Sequence, residues 1–212
     1  YALSIALKKE NWELVKYLVE KGADVNTEYK DGYNESKTAL MLASEKENWE
    51  IVKYLIESGA DVNTKNKYNK TVLMLALEKE NWEIVKYLIE KGADNIDYAL
   101  SIALKKENWE LVKYLIEYGA DINTKVEGGY NNNKTALMLA LEKENWELVK
   151  YLVEKGADNI DYALSIALKK EDWEMVKYLI EHGADVNTKF NYKNEREYGE
   201  SKTALMLASE KE

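Results

Sequence analysis

The sequence predicts an all-α solenoid, a stack of helix pairs, and three observations carry that prediction. One stretch, Asn48-Trp49-Glu50-Ile51-Val52-Lys53-Tyr54-Leu55-Ile56-Glu57 followed by Ser58-Gly59-Ala60-Asp61, returns with small edits at six places. Trp12, Trp49, Trp82, Trp109, Trp146 and Trp173 mark the copies, and Glu45 to Glu57 matches Glu78 to Glu90 letter for letter. Self-similarity at a period of tens of residues is the mark of a stacked repeat array. The apolar positions of each copy recur at helical spacing, and a second short apolar stretch precedes each copy. The unit is therefore a pair of helices.

The first helix of a pair opens at Thr38, Thr71, Thr135 or Thr203 as Thr-Ala-Leu-Met-Leu-Ala or close to it. Thr is a good N-cap, because its hydroxyl accepts from an otherwise orphaned backbone N–H. A second version opens at Tyr1, Tyr98 and Tyr162 as Tyr-Ala-Leu-Ser-Ile-Ala-Leu, where Asp97 and Asp161 are the expected caps. The second helix is expected from about Asn48 to Glu57. Trp49, Val52, Leu55 and Ile56 lie on one face, and Glu50, Lys53 and Glu57 turn to solvent. Gly59 supplies the left-handed residue that ends it.

Composition narrows function by exclusion. Of 212 residues, 46% are hydrophobic, ample for a continuous core, so a disordered chain is not expected. There is no Cys, hence no disulfide, thiolate metal site or thiol nucleophile. A net charge of -9 argues against nucleic acid as the main partner. No apolar run approaches a membrane span, and no signal peptide opens the chain, so no membrane association and a cytoplasmic or host-delivered location are expected. Pro is absent and Arg196 is the single arginine. An AT-rich genome or a design process would each produce that usage, and the irregular junctions described below argue against design. The chain opens without Met and stops at Glu212 partway through a repeat, so it reads as a fragment of a longer array.

These residues resemble the ankyrin repeat. Thr38-Ala39-Leu40-Met41-Leu42-Ala43 is similar to the family's Thr-Pro-Leu-His-x-Ala opening. Ile51-Val52 and Leu55-Ile56 match its second-helix core, and Gly59-Ala60-Asp61-Val62-Asn63 matches its close. The resemblance covers residues 1–212 as a single array, six helix pairs plus a lone first helix at 203–212. Three departures stand out. Ala39 replaces the family's Pro, and Met41 or Ser101 its His, each a loss on the order of 1 kcal/mol. Glu47-Asn48 replaces the family's Gly-His turn; a left-handed Glu47 costs roughly 1 kcal/mol, so the turn is expected to shift onto Asn48.

The junctions vary where the helices do not. Trp-to-Trp spacing runs 37, 33, 27, 37, 27. Thirty-three is the usual period of the family, a short β-hairpin finger between repeats included. At 27, Gly92 to Asp97 and Gly156 to Asp161 join helix to helix and leave no finger. At 37, four added residues lengthen a hairpin by two per strand and keep its faces in register. Asp31-Gly32 and Gly128-Gly129 are the expected hairpin turns. Thr188 to Lys202 has no central turn signal and is expected to be a looser loop.

Few residues invite a catalytic reading. The six Trp are expected to form a structural ladder rather than a ligand-stacking platform, and Tyr17, Tyr54, Tyr87, Tyr114, Tyr151 and Tyr178 to cover the outer helix layer. His182, the single histidine, has no second His or Cys with which to bind metal. Carboxylates alternate with Lys along helix surfaces, the pattern of a solvated face. Gly128-Gly129 lacks the setting of a phosphate loop. No catalytic residue, metal or cofactor is expected, and no enzyme.

The fingers carry Tyr29, Tyr33, Tyr68, Tyr130, Phe190, Tyr192 and Tyr198 among Asn, Gly, Lys, Glu and Ser. That is the composition of binding loops, in which Tyr supplies rigid amphipathic contact area. The competing reading has these aromatics pack across the hairpins, and one residue can do both. The resemblance implies a non-catalytic protein–protein interaction scaffold, holding a protein partner by its fingers and the exposed side of its first helices. The alternative is a structural spacer or self-assembling rod that stacks through open repeat ends and fingers.

Overall fold

The computed structural model describes residues 2–30, 36–191, 201–203 and 206. Its first helices are α1 (Ala2–Lys8), α3 (Ala39–Glu45), α5 (Val72–Glu78), α7 (Ile96–Lys105), α9 (Ala136–Glu142) and α11 (Ile160–Lys169). Its second helices are α2 (Trp12–Glu20), α4 (Trp49–Glu57), α6 (Trp82–Glu90), α8 (Trp109–Glu117), α10 (Trp146–Glu154) and α12 (Trp173–Glu181). Two short ladders join them, β1 (Tyr29–Lys30) with β2 (Ser36–Lys37) and β3 (Phe190–Asn191) with β4 (Ser201–Lys202). The chain divides into two compact units, Tyr1–Ala99 and Leu100–Glu212. Each is built of helix pairs, the architecture of an ankyrin-type solenoid.

Capping residues set the helix starts. The hydroxyls of Thr38, Thr71 and Thr135 accept from the N–H of Met41, Met74 and Met138. Asn48, Asn81, Asn108 and Asn145 do the same for the second helices, three residues on. The seventh first helix, expected at 203–212, lies outside the described residues apart from Thr203 and Met206. There the Thr203 hydroxyl accepts from the Met206 N–H at 3.4 Å.

The buried stripe of the second helix is centred differently from the expectation. In α4, Ile51, Val52 and Leu55 are buried, whereas Trp49 and Ile56 are half-buried. A helix packed both against its own partner and against neighbouring repeats buries a stripe wider than one line of i, i+3, i+7 contacts. Leu40, Ala43, Leu55, Leu73 and Leu88 are fully or almost fully enclosed.

Both helices of a pair end in the same six-residue closure. In α4 the Ala60 N–H reaches the Leu55 carbonyl at 2.9 Å and the Gly59 N–H reaches Ile56 at 3.0 Å. In α3 the Asn48 and Glu47 N–H groups make the equivalent bonds to Ala43 and Ser44. This is the Schellman arrangement, and it needs one left-handed residue. Gly59 takes that place at φ 92°, Glu47 at φ 57°. The turn thus stays on Glu47, against expectation, because Asn48 is committed elsewhere as the cap of α4 at φ −83°. Glu10, Glu80, Glu107, Glu144 and Glu171 repeat the arrangement. Replacing Gly59 by Ala meets no atom within 4 Å, so its cost is backbone strain alone, about 1–2 kcal/mol. Glu47→Ala adds no such strain and loses at most an exposed ion pair, about 0.5 kcal/mol. Urea unfolding of the two variants is expected to show that order.

The expected caps Asp97 and Asp161 are corrected. Helices α7 and α11 begin one residue earlier, at Ile96 and Ile160, so each Asp sits within the first turn. The cap position of α11 is Asn159, left-handed at φ 67° with no side-chain cap bond. Asp161 instead accepts from the Asp185 N–H of the next repeat at 2.7 Å. With α6 ending at Glu90 and α7 starting at Ile96, no finger fits at this junction, and the same holds between α10 and α11.

Candidate functional site

The fingers share one base, whatever their length. Tyr29 pairs with Lys37, Phe190 with Lys202, and Lys65 bridges to Thr71. The Val126 N–H donates to the Lys134 carbonyl at 2.9 Å, and the Asn133 N–H donates to the Val126 carbonyl at 2.8 Å. The paired base at Phe190 replaces the looser loop expected from 188 onward, while residues 192–200 lie outside the described residues. Among the described residues, insertions therefore leave the attachment of the base unchanged.

Two features of the sequence hold the described bases down. The Lys before Thr38, Thr71 and Thr135 reaches the Glu at the end of the same first helix: Lys37 to Glu45 at 2.8 Å, Lys70 to Glu78 at 2.5 Å, Lys134 to Glu142 at 2.7 Å. Where the finger is missing, Lys105 and Lys169 stand in place of that Glu, which would have no partner. In two of the long fingers a buried apolar residue opens the base: Tyr29 is 5% exposed and Val126 1%. The Glu127 N–H then donates to Ser101 on α7 at 3.2 Å. Ser in place of the family's His thus holds the finger of its own repeat.

One expected turn, Asp31-Gly32, lies outside the described residues, beyond the Lys30–Ser36 pair. The other is not a two-residue hairpin. Gly128 and Gly129 are both left-handed, at φ 71° and 75°. They open a double turn, with the Asn132 N–H to the Gly129 carbonyl and the Lys134 N–H to the Asn131 carbonyl, not an extended hairpin. Asn side chains compete with strand pairing here, since Asn132 Oδ1 accepts from the Gly128 N–H at 2.7 Å.

The candidate contact residues separate accordingly. Tyr130 is 95% exposed and Tyr68 68%, both at finger tips, with Lys134 and Lys67 over their rings at 4.9 and 4.8 Å. Tyr29 is buried at the base, so it packs rather than presents. Phe190 sits in β3 at an equivalent base position. Tyr33, Tyr192 and Tyr198 lie outside the described residues. Sequence reasoning passed over Tyr98 and Tyr162, which are 37% and 44% exposed on the helices that follow no finger. Their signal was Tyr standing where the other first helices have Thr.

Behind the fingers, neighbouring repeats are tied at three levels. Asn63 accepts from the Asp94 N–H at 2.8 Å and donates to the Gly92 carbonyl at 3.2 Å, as Asn26 does with Asp61 and Gly59. On the outer layer, the hydroxyls of Tyr54, Tyr87, Tyr151 and Tyr178 donate to the carbonyls of Lys16, Lys53, Lys113 and Lys150, so these Tyr tie repeats as well as cover them. Lys16–Glu50, Lys53–Glu83 and Lys113–Glu147 pair at 2.7, 2.7 and 2.9 Å. Trp109 lines a groove with Asn145, Glu147 and Leu148 of the following repeat. His182 stacks on Tyr178 at the surface.

The ion-pair ladder sets a pH window. Hydrogen bonds from Lys16, Lys53 and Lys113 hold Glu50, Glu83 and Glu147 below the usual carboxylate value of 4.5. A lowered folded value stabilises above the unfolded one and is lost as pH falls through it. Burial raises the Tyr87, Tyr151 and Tyr178 phenols above 10, so their contribution is intact below 10 and lost as pH rises. Stability is expected to hold a plateau between and to fall from about pH 5 to about pH 3. Because the carboxylates are exposed, that acid drop should shrink in about 1 M salt. Urea midpoints across this range, at low and high salt, check both statements.

Among the described residues no group of three His, Asp or Glu is placed to hold a metal ion. No helix among them is long and apolar enough to cross a membrane. Comparison with curated proteins returns no match. The family model described as ankyrin repeats in three copies matches residues 3–97 and again 95–162, and the single ankyrin repeat model matches 159–191. With matches along most of its length, the chain belongs to the ankyrin repeat family.

Proposed function

We propose that residues 1–212 act as one array, a non-catalytic scaffold that binds a protein partner through its finger tips and the exposed side of its first helices. Ankyrin repeats generally mediate protein–protein interaction, and the family's members are typically non-catalytic. The observation that supports the fingers here is Tyr130, a large aromatic 95% exposed at the end of a base anchored by buried Val126. Exposed tyrosine on an anchored loop is a ready hot spot. Co-purification from the native source identifies the partner. Against it, Tyr33→Ala and Tyr130→Ala are each expected to weaken binding by roughly 1–3 kcal/mol. Unchanged affinity in both variants would remove the fingers from the contact.

The second reading is a structural spacer or self-assembling rod whose copies stack through repeat ends and fingers. Light scattering over a concentration series separates the two readings: a strict monomer at all concentrations rules out stacking.

A further inference from the structure

We propose that the finger of residues 64–70 docks an acidic segment of the protein partner, one with an apolar or aromatic side chain among its carboxylates. The inference rests on the scaffold reading above and names the chemistry of what one finger takes. In a chain of net charge -9, residues 64–70 read Thr-Lys-Asn-Lys-Tyr-Asn-Lys, with three lysines and no acid. Lys65, Lys67 and Tyr68 are exposed, and Lys70 is half-buried at the base against Glu78.

The finger is rigid. Asn66 Oδ1 accepts from the N–H groups of both Tyr68 and Lys70 at 3.0 Å. The Asn66 N–H donates to the Lys70 carbonyl and the Asn69 N–H to the Asn66 carbonyl, each at 2.9 Å. A tip braced by four hydrogen bonds loses little entropy on binding. Tyr68 is nonetheless 68% exposed, with the Lys67 ammonium 4.8 Å from its ring centroid.

Tyr68 offers apolar contact area at the tip, and Lys65 and Lys67 beside it select for carboxylates by charge complementarity. Lys70 is already paired with Glu78 and anchors the base.

A polyanion such as nucleic acid fits less well. Three lysines neutralise few phosphates, and a backbone long enough to matter would run onto a surface of net negative charge. A short acidic peptide engages the finger and meets nothing else.

The test uses the full chain and a fluorescein-labelled hexapeptide of Asp and Glu around one Phe, with a Ser-for-acid control peptide. Anisotropy is expected to show binding of the acidic peptide, no binding of the control, and weakening with salt. Tyr68→Ala, and separately Lys65→Glu with Lys67→Glu, are each expected to lower affinity about tenfold or more. These residues are exposed, and circular dichroism confirms that the variants stay helical. Absence of binding at about 1 mM peptide, or equal binding by the variants, overturns the proposal. So does tighter binding of a single-stranded oligonucleotide that the same variants abolish. If a purified partner binds the double Lys variant as it binds the wild type, this inference falls while the scaffold reading stands. If the wild type captures no protein at all, the scaffold reading itself fails.

Discussion

Replacing Leu88 with Ala is expected to destabilise the chain by about 2–5 kcal/mol, the largest loss from any single truncation considered. Leu88 lies on α6 with no exposed surface. Deleting three carbons there loses their transfer free energy and leaves a cavity that the neighbours fill only in part. The repeat setting adds to the local loss. In a solenoid, stability is close to a sum of repeat terms and nearest-neighbour interfaces, so a defect in one second helix weakens its own pair and its contacts with adjacent repeats. Leu14→Ala, at the exposed equivalent of a buried position, is the internal contrast and should cost well under half as much. A drop in urea midpoint for Leu88→Ala no larger than that for Leu14→Ala would mean that the second helices do not form the common core.

Val126→Asp is expected to cost about 3 kcal/mol at neutral pH, and to cost it locally. Val126 is 1% exposed at the base of its finger, and an unpaired carboxylate there must either take up a proton or pull the finger off. Detachment breaks the paired bonds to Lys134 and Asn133 and the Glu127 bond to Ser101, and the cheaper route sets the observed loss. Helices α9 and α10 keep their own caps and core, so hydrogen exchange should rise sharply across 126–134 and little elsewhere. Lowering the pH should restore part of the stability, since the introduced carboxyl is less costly to bury once protonated. Loss of protection spreading evenly over both helices would show that the finger is a structural part of its repeat and not an appended arm.

Much of the scaffold was legible in the sequence because one unit repeats six times. A Trp, a capping Asn and a closing Gly at fixed offsets identify each helix pair without reference to anything distant. What was misread depended on the partner that each backbone or side-chain group takes. Asp161 looks like a cap from its place before Tyr162, yet its partner is Asp185, 24 residues on. Glu47 looks too costly for a left-handed turn until Asn48 is recognised as already holding α4. Lys79 of the following repeat also pairs with it. Tyr29 and Tyr130 look alike as finger aromatics, but their place relative to the strand pairing buries one and exposes the other. The Gly128-Gly129 turn failed as a hairpin because its neighbouring Asn side chains satisfy backbone groups that strands would otherwise pair.

The array now reads as two sets of residues with separate work. The constant set ties repeats together through Asn63, Tyr87 and their equivalents. The variable set decides where a finger stands and where one is missing. Hydrogen exchange of the whole chain, free and with its purified partner, tests that division most directly. The account predicts slowed exchange at residues 64–70 and 126–134, with the second helices α4, α6 and α10 unchanged. Slowing confined to the second helices or to α1 and α2, with the fingers unaffected, would contradict it and favour the stacking rod.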